Sequence, residues 1–258
     1  MKKHKDMRSR LKRLIQVSLL LAGATAIFLA GNIIGGNILP MAAGQERLLP
    51  VYSVGTEEKK IAISFDAAWG REHTLPILDI LDQYGVKTTF FLVEFWAADY
   101  PEDVEEISRR GHEVQNHSST HPDMTTLSVE QVRKEVESTE RVIEEITGVK
   151  PDLFRPPFGA YDNKVIETIE GMGYKVIQWS VDSHDWMKIS ADQIAERVIS
   201  RIKPGSIVLF HNDAAHVEEY LPGILEEAKE QGYEVIPVGQ LIYWEDYHID
   251  HTGKQIKN

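Results

Sequence analysis

The sequence predicts an α/β protein built on a parallel sheet covered by helices, and three observations carry that prediction. From Lys59 onward, six apolar runs of strand length alternate with helical patterns over about 190 residues. The runs are nearly continuous in apolar residues, as strands buried on both faces are. The helical stretches carry their own punctuation. Ser128 is followed by Gln131 and Ser190 by Gln193, the spacing of a capping box, and Gly85, Gly111, Gly148, Gly173 and Gly232 stand where helices end. Six or seven such units suit a barrel, complete or incomplete, or an open doubly wound sheet.

In chain order, the first element stands outside that pattern. Residues 1–13 hold seven Lys and Arg against Asp6, a net charge of +6, and no charged residue occurs from Leu14 to Gly44. A membrane span needs roughly 20 apolar residues and a secretory signal core roughly 7–15. Residues 14–39 are therefore expected to anchor the chain as a single-pass segment of the cell membrane. The basic flank stays in the cytoplasm and the body lies outside. Secretion after cleavage near Met41, Ala42 and Ala43 is the alternative. Residues 40–58 read as a linker, 59–245 as the folded domain and 246–258 as a C-terminal tail.

Within the domain, strands are expected at 61–65, 88–93, 112–116, 174–181, 206–210 and 233–238. Helices are expected near 74–84, 101–110, 128–147, 162–172, 190–202 and 218–231. The whole chain carries −12, so the part after residue 13 carries −18. Such a surface repels phosphates, and nucleic acid is not an expected partner. No GxGxxG loop is present, so no dinucleotide site is expected. With no cysteine, neither disulfides nor thiolate ligands are available.

Residues able to do chemistry collect just after the strands. Asp66 follows "IAISF", His117 and His121 follow "HEVQN", Arg155 follows "DLF", Asp182 and Asp185 follow "VIQWS", and His211 follows "SIVLF". In parallel α/β folds the C-terminal strand ends face one site. His117 and His121 are four apart, and Pro122 disfavours helix at His121, so the pair belongs on a turn. Two imidazoles so placed can share zinc or a similar ion, or be surface or capping histidines. In "FRPPFGAYD" two prolines stiffen the turn, and Arg155 either clamps a carboxylate or serves as a structural arginine. His211 suits a general acid, with an Asp partner to raise its pKa and orient it. Trp186 suits the wall of a small apolar pocket, whereas Trp179 is expected in the core. His4, His184, His216, His248 and His251 are expected on the surface or in loops.

Taken together, an SFDxxxG strand end, an HSxxH turn, an RPPxG turn, a DxxDW segment and a final LxHx strand end resemble the NodB-type polysaccharide deacetylases, carbohydrate esterase family four, over residues 59–245. The versions "FDAAWG", "FRPPFG" and "SIVLFHN" look most like the membrane-anchored sporulation deacetylases of Gram-positive spore formers. The resemblance implies a distorted (β/α) barrel of about seven parallel strands. It also implies removal of N-acetyl groups from N-acetylglucosamine or N-acetylmuramic acid units of an acetylated polysaccharide such as peptidoglycan. By that resemblance Asp66 is the base, oriented by Arg155, and His211 is the acid, tuned by Asp185. The backbone N–H of Phe158 holds the oxyanion, and Trp186 and Leu209 line the acetyl pocket. His117 and His121 are ligands of a divalent metal, zinc or else cobalt or manganese.

The sequence departs from the family pattern at Ala67, where a second acid supplies the third metal ligand. A methyl group cannot replace it, so metal binding is expected to be weak or absent. Three repairs are open: Asp66 moves onto the metal and another group acts as base, Glu72 or His73 reaches in, or water and substrate fill the gap. Beside the deacetylase stand a catalytically silent glycan-binding domain, a hydrolase using Asp66 and His211 without metal, and a structural part of an envelope or spore coat. Retention of Asp66, Arg155, Asp185 and His211 favours chemistry.

Overall fold

The computed structural model describes residues 46–258, and Arg47–Asn258 form one compact unit. The basic segment and the expected span over 14–39 lie outside the described residues. Among the described residues no helix is long and apolar enough to cross a membrane.

The main sheet grows around β2 (Lys60–Ala67). On one side follow β3 (Thr89–Leu92), β4 (Glu113–Asn116), β5 (Leu153–Phe154) and β6 (Lys175–Val176). On the other follow β8 (Ile207–His211) and β7 (Val181–Asp182), while β9 (Glu234–Ile236) pairs with the start of β2. Every pairing in this sheet is parallel, as the continuous apolar runs predict. The path of seven strands forms part of a barrel, with β6 and β7 at its two ends.

The expected strand at 174–181 is instead two strands. Its first part pairs with β5, and Ile177 then leaves the sheet to bridge Val51. Ser180 donates its N–H to the Ile207 carbonyl at 3.0 Å, so the chain has changed partners across the gap. The gap is spanned by residues expected in the linker: Val51 bridges Ile177 and Ser53 bridges Ser206. Val51 and Val54 are buried there, and β1 (Ser53–Val54) pairs with β11 (Lys254–Lys257). Residues 246–258, expected as a tail, contain β10 (Tyr247–Ile249) and β11 as an antiparallel pair.

Helices cover the outer face. They are α1 (Thr74–Tyr84), α2 (Glu94–Asp99), α3 (Pro101–Arg109), α4 (Val129–Thr147), α5 (Asn163–Glu170), α6 (Ala191–Ile199) and α7 (Val217–Glu230), while the short α8 (Val238–Leu241) packs with the inward cluster. Both capping boxes form, at Ser128 on α4 and Ser190 on α6. The strand pleat sorts side chains between two cores. Ile61, Ile63, Phe65 and Ala67 of β2 face the helices with Phe90, Val208 and Phe210. Ala62, Phe91 and Ile207 face inward and close the lower interior with Val51, Val54 and Ile177. The upper interior, at the C-terminal strand ends, is polar.

Candidate active site

Asp66 leaves the end of β2 on the inward face. Its register neighbours are Phe91 on β3 and His211 on β8, so adjoining strands deliver a carboxylate and an imidazole to one place. A cavity of about 470 Å³ opens there, lined by Asp66, His117, His121, Phe158, Leu209 and His211 among others. Trp186 also lines it. Every residue expected at the site except Arg155 and Asp185 borders this cavity, and those two stand directly behind Asp66 and His211.

Arg155 is fully buried, its guanidinium 4.1 Å from the Phe91 ring centroid and 5.7 Å from that of Trp179. Its Nη1 donates to Asp66 Oδ1 at 2.7 Å and its Nη2 to the Gln178 carbonyl at 3.3 Å. Burial pushes the Asp66 carboxyl upward, but the charge of Arg155, with smaller help from His117 and His211, outweighs it and holds the pKa below the ordinary carboxylate range. Asp66 is ionised.

Across the cavity, His211 Nδ1 lies 2.7 Å from Asp185 Oδ1, and the His211 N–H donates to Asp185 Oδ2 at 2.8 Å. The Tyr220 hydroxyl donates to the same Oδ2 at 3.0 Å. Burial works against the imidazolium, yet the Asp185 carboxylate overrides it and raises the His211 pKa to about 9. His211 is therefore protonated at neutral pH. An aromatic row of Phe65, Phe210 and Tyr220 stacks behind this arrangement, with centroids 5.7 and 5.5 Å apart, and ends in the Tyr220 hydroxyl.

The histidine pair sits on the turn after β4, as Pro122 predicts. Ser118 and His121 take φ values of 72° and 55°. The turn is closed by Glu135 of α4, which accepts from the N–H groups of Ser119 at 2.9 Å and Thr120 at 2.7 Å. His117 Nδ1 donates to the Arg155 carbonyl at 2.6 Å, so Nε2 carries its free lone pair, 3.5 Å from Asp66 Oδ2. The His121 ring stands edge-on to His117 at 5.0 Å, and to Trp69 and Phe158 at 5.0 and 4.6 Å. Burial lowers both imidazole pKa values, that of His121 to about 4, and leaves both rings neutral and able to ligate.

The donor set is nevertheless short. Among the described residues no group of three or more His, Asp or Glu is arranged to hold a metal ion. Catalytic zinc ordinarily takes three protein ligands. Ala67 is fully buried in the apolar helix-facing cluster. Glu72 turns back to the Arg71 N–H at 3.0 Å, and His73 Nδ1 lies 2.9 Å from Glu218 of α7, so neither reaches the histidines. Asp66 Oδ1 is held by Arg155, while its Oδ2 stands 3.5 Å from His117 Nε2. The residues present do not fit a three-ligand metal site.

Sequence reasoning missed Trp69, Trp179 and Asp213, all of which line the cavity. Trp179 was expected in the core. It does pack against the lower core, and its upper edge borders the cavity. Trp69 is 57% exposed on a loop pinned at Gly70, whose carbonyl accepts from Trp96 Nε1 at 2.5 Å and Asn212 Nδ2 at 3.2 Å. A tryptophan two residues past the end of a buried strand was the available signal.

The family described as polysaccharide deacetylase matches residues 53–177. The peptidoglycan-N-acetylmuramic acid deacetylase PdaA of Bacillus subtilis is 30% identical over 203 residues, which cover 77% of each chain. A peptidoglycan-N-acetylglucosamine deacetylase of Bacillus cereus is 31% identical over 191 residues, covering 72% of this chain and 70% of the relative. Against a further Bacillus subtilis relative the match covers 60% of that protein's length. Among solved structures, wild-type BA3943 of Bacillus anthracis, a pseudoenzyme of carbohydrate esterase family 4, superposes with a TM-score of 0.73 at 33% identity. That match covers 80% of this chain and 70% of the other. A mutant of BA3943 with restored enzymatic activity matches equally well, at 34% identity.

Proposed function

The chain belongs to the polysaccharide deacetylases of carbohydrate esterase family 4, and we propose that it hydrolyses N-acetyl groups of peptidoglycan-type glycans. One observation carries the reading: a carboxylate held ionised and an imidazole held protonated border the same cavity from adjoining strands. Environments that push two pKa values apart assign base and acid. Asp66 takes a proton from water as its oxygen attacks the acetamide carbonyl carbon. By the family resemblance, the N–H of Phe158, which sits on a turn with φ 59°, serves the oxygen that gains charge. His211 Nε2 then gives its proton to the departing nitrogen as the C–N bond breaks, leaving acetate and a free amine. Arg155 and Asp185 hold the two groups in place. Leu209 and Trp186 offer apolar surface for the acetyl methyl.

His117 and His121 are the residues a divalent cation would take, and with no third ligand such binding is weak. The charge-free run from Leu14 to Gly44 supports a membrane-anchored domain facing the wall from outside, and the motif versions "FDAAWG", "FRPPFG" and "SIVLFHN" support a sporulation type. The two Bacillus deacetylases support this substrate class.

A second reading is a silent glycan-binding domain. The short donor set favours it, as does the existence of a pseudoenzyme of the same fold. Acetate release by the full chain separates the two. Acetylated glycan oligomers and peptidoglycan are supplied with zinc, cobalt or manganese, and again with chelator. Release that stops in His211→Ala is expected. Glycan binding without release from any substrate gives the silent reading its place.

A further inference from the structure

The loop carrying the acid's partner is held from behind by a side chain that has no part in the reaction above. Residues 183–190 join β7 to α6. Within this loop His184 takes a left-handed φ of 61°, a conformation uncommon outside glycine, though His, Asn and Asp adopt it more readily than other L residues. Its N–H donates to Asp182 Oδ1 at 2.9 Å. Arg197, on α6, reaches the same turn twice. Its Nε donates to the Asp182 carbonyl at 2.7 Å, and its Nη2 lies 2.9 Å from His184 Nε2. A guanidinium has no acceptor, so the imidazole accepts and His184 carries its proton on Nδ1. The next residue is Asp185, whose two carboxylate oxygens hold His211.

We propose that Arg197 is a positioning residue for His211: by fixing the left-handed turn at Asp182 and His184 it sets where the Asp185 carboxylate stands. The proposal rests on the reading of His211 as the acid. Ser183 Oγ accepts from the Asp185 N–H at 3.2 Å, and Tyr220 holds Oδ2, but both act on Asp185 once the loop has brought it there. Among the described residues, Arg197 alone ties the turn to the helix layer at two points. Lysine could not replace it, because an ammonium is a single point charge, whereas the guanidinium fork serves two acceptors in a fixed geometry. The groups whose charges act on His211 are Asp185, Asp66 and Asp213, and Arg197 reaches it only through the first.

The test is a histidine-selective NMR titration of the full chain as wild type, Arg197→Ala and Arg197→Lys, with acetate-release kinetics beside it. His211 is expected to titrate near 9 in the wild type. In Arg197→Ala its midpoint is expected to fall by about one unit, with kcat down about tenfold and KM near the wild-type value. Guanidinium in solution is expected to restore part of the loss. A folded Arg197→Ala protein with an unchanged His211 midpoint overturns the proposal. Should that variant not fold, Arg197→Lys decides, since it keeps charge and stem but can make only one of the two bonds. If the wild type releases no acetate from any glycan, the deacetylase reading fails, while the NMR midpoints still decide the role of Arg197.

Discussion

The two sides of the cavity meet one requirement with opposite charges. On the base side a fixed cation, Arg155, is sunk beneath Phe91 and keeps Asp66 ionised. On the acid side a fixed carboxylate, Asp185, keeps His211 protonated. The Asp66 side chain keeps 8% of its surface and that of Arg155 none, whereas the His211 side chain keeps 27%. One side is thus built on a group that does not titrate in water, and the other on a group that does. They should therefore fail differently when cut, and at opposite ends of the pH scale.

The largest effects come from removing the reacting groups. Asp66→Asn and His211→Ala should each lower kcat by about 10²–10⁴-fold, the usual range for a positioned acid or base. His211→Ala should leave zinc uptake unchanged, as read by metal analysis after dialysis, whereas His117→Ala should reduce it. Wild-type turnover in His211→Ala would remove the acid from its role.

Next comes the support of the base. Arg155→Ala leaves Asp66 buried without its cation, and loss of one partner of a buried pair costs about 3–5 kcal/mol. Denaturant unfolding measures it. A loss below 1 kcal/mol would mean that water replaces the guanidinium, and that the base side is more open than its burial implies. The corresponding cut on the acid side, Asp185→Asn, should cost less stability and more tuning. The alkaline limb of the kcat profile should move from about 9 toward the ordinary histidine value near 6.5, and turnover at neutral pH should fall about tenfold.

The same contrast governs what could be read from the sequence. Asp66, His117, Arg155, Asp185 and His211 were legible because each follows an apolar run, and parallel topology turns strand ends into neighbours. The strands at 61–65 and 206–210 were legible for the same reason: apolar side chains on both faces leave a continuous signal. The split of 174–181 was not, since β6 and β7 lie in one apolar run and only the bridge from Ile177 to Val51 separates them. Helix α2 gave no cap signal, because Val93 precedes it without a side-chain bond. The hairpin of β10 and β11 is polar and half-exposed, so nothing distinguished it from a tail. Trp69 and Asp213 reach the cavity through loop paths, and Arg197 meets His184 13 residues away from another element. Such contacts depend on how elements pack, which spacing along the chain does not record.

The smallest effect is the pH dependence of wild-type stability, and it tests the contrast most directly. The folded pKa of His211, about 9, lies above its unfolded value near 6.5. Folding therefore favours the proton: the stabilisation is complete below about pH 6.5 and is lost as pH rises through about 9. Because the imidazole is partly solvated, the loss should be on the order of 2 kcal/mol or less. Asp66 behaves in the opposite sense. Its folded pKa is lowered, so its contribution is present above the unfolded carboxylate value near 4 and disappears as pH falls below it. Thermal unfolding from pH 3 to 10 should show both declines. His211→Ala should flatten only the alkaline one, and Arg155→Ala only the acidic one. If His211→Ala leaves the alkaline decline intact, the proton on His211 is not held by Asp185 in the folded chain, and the acid side loses the property that distinguishes it from the base side.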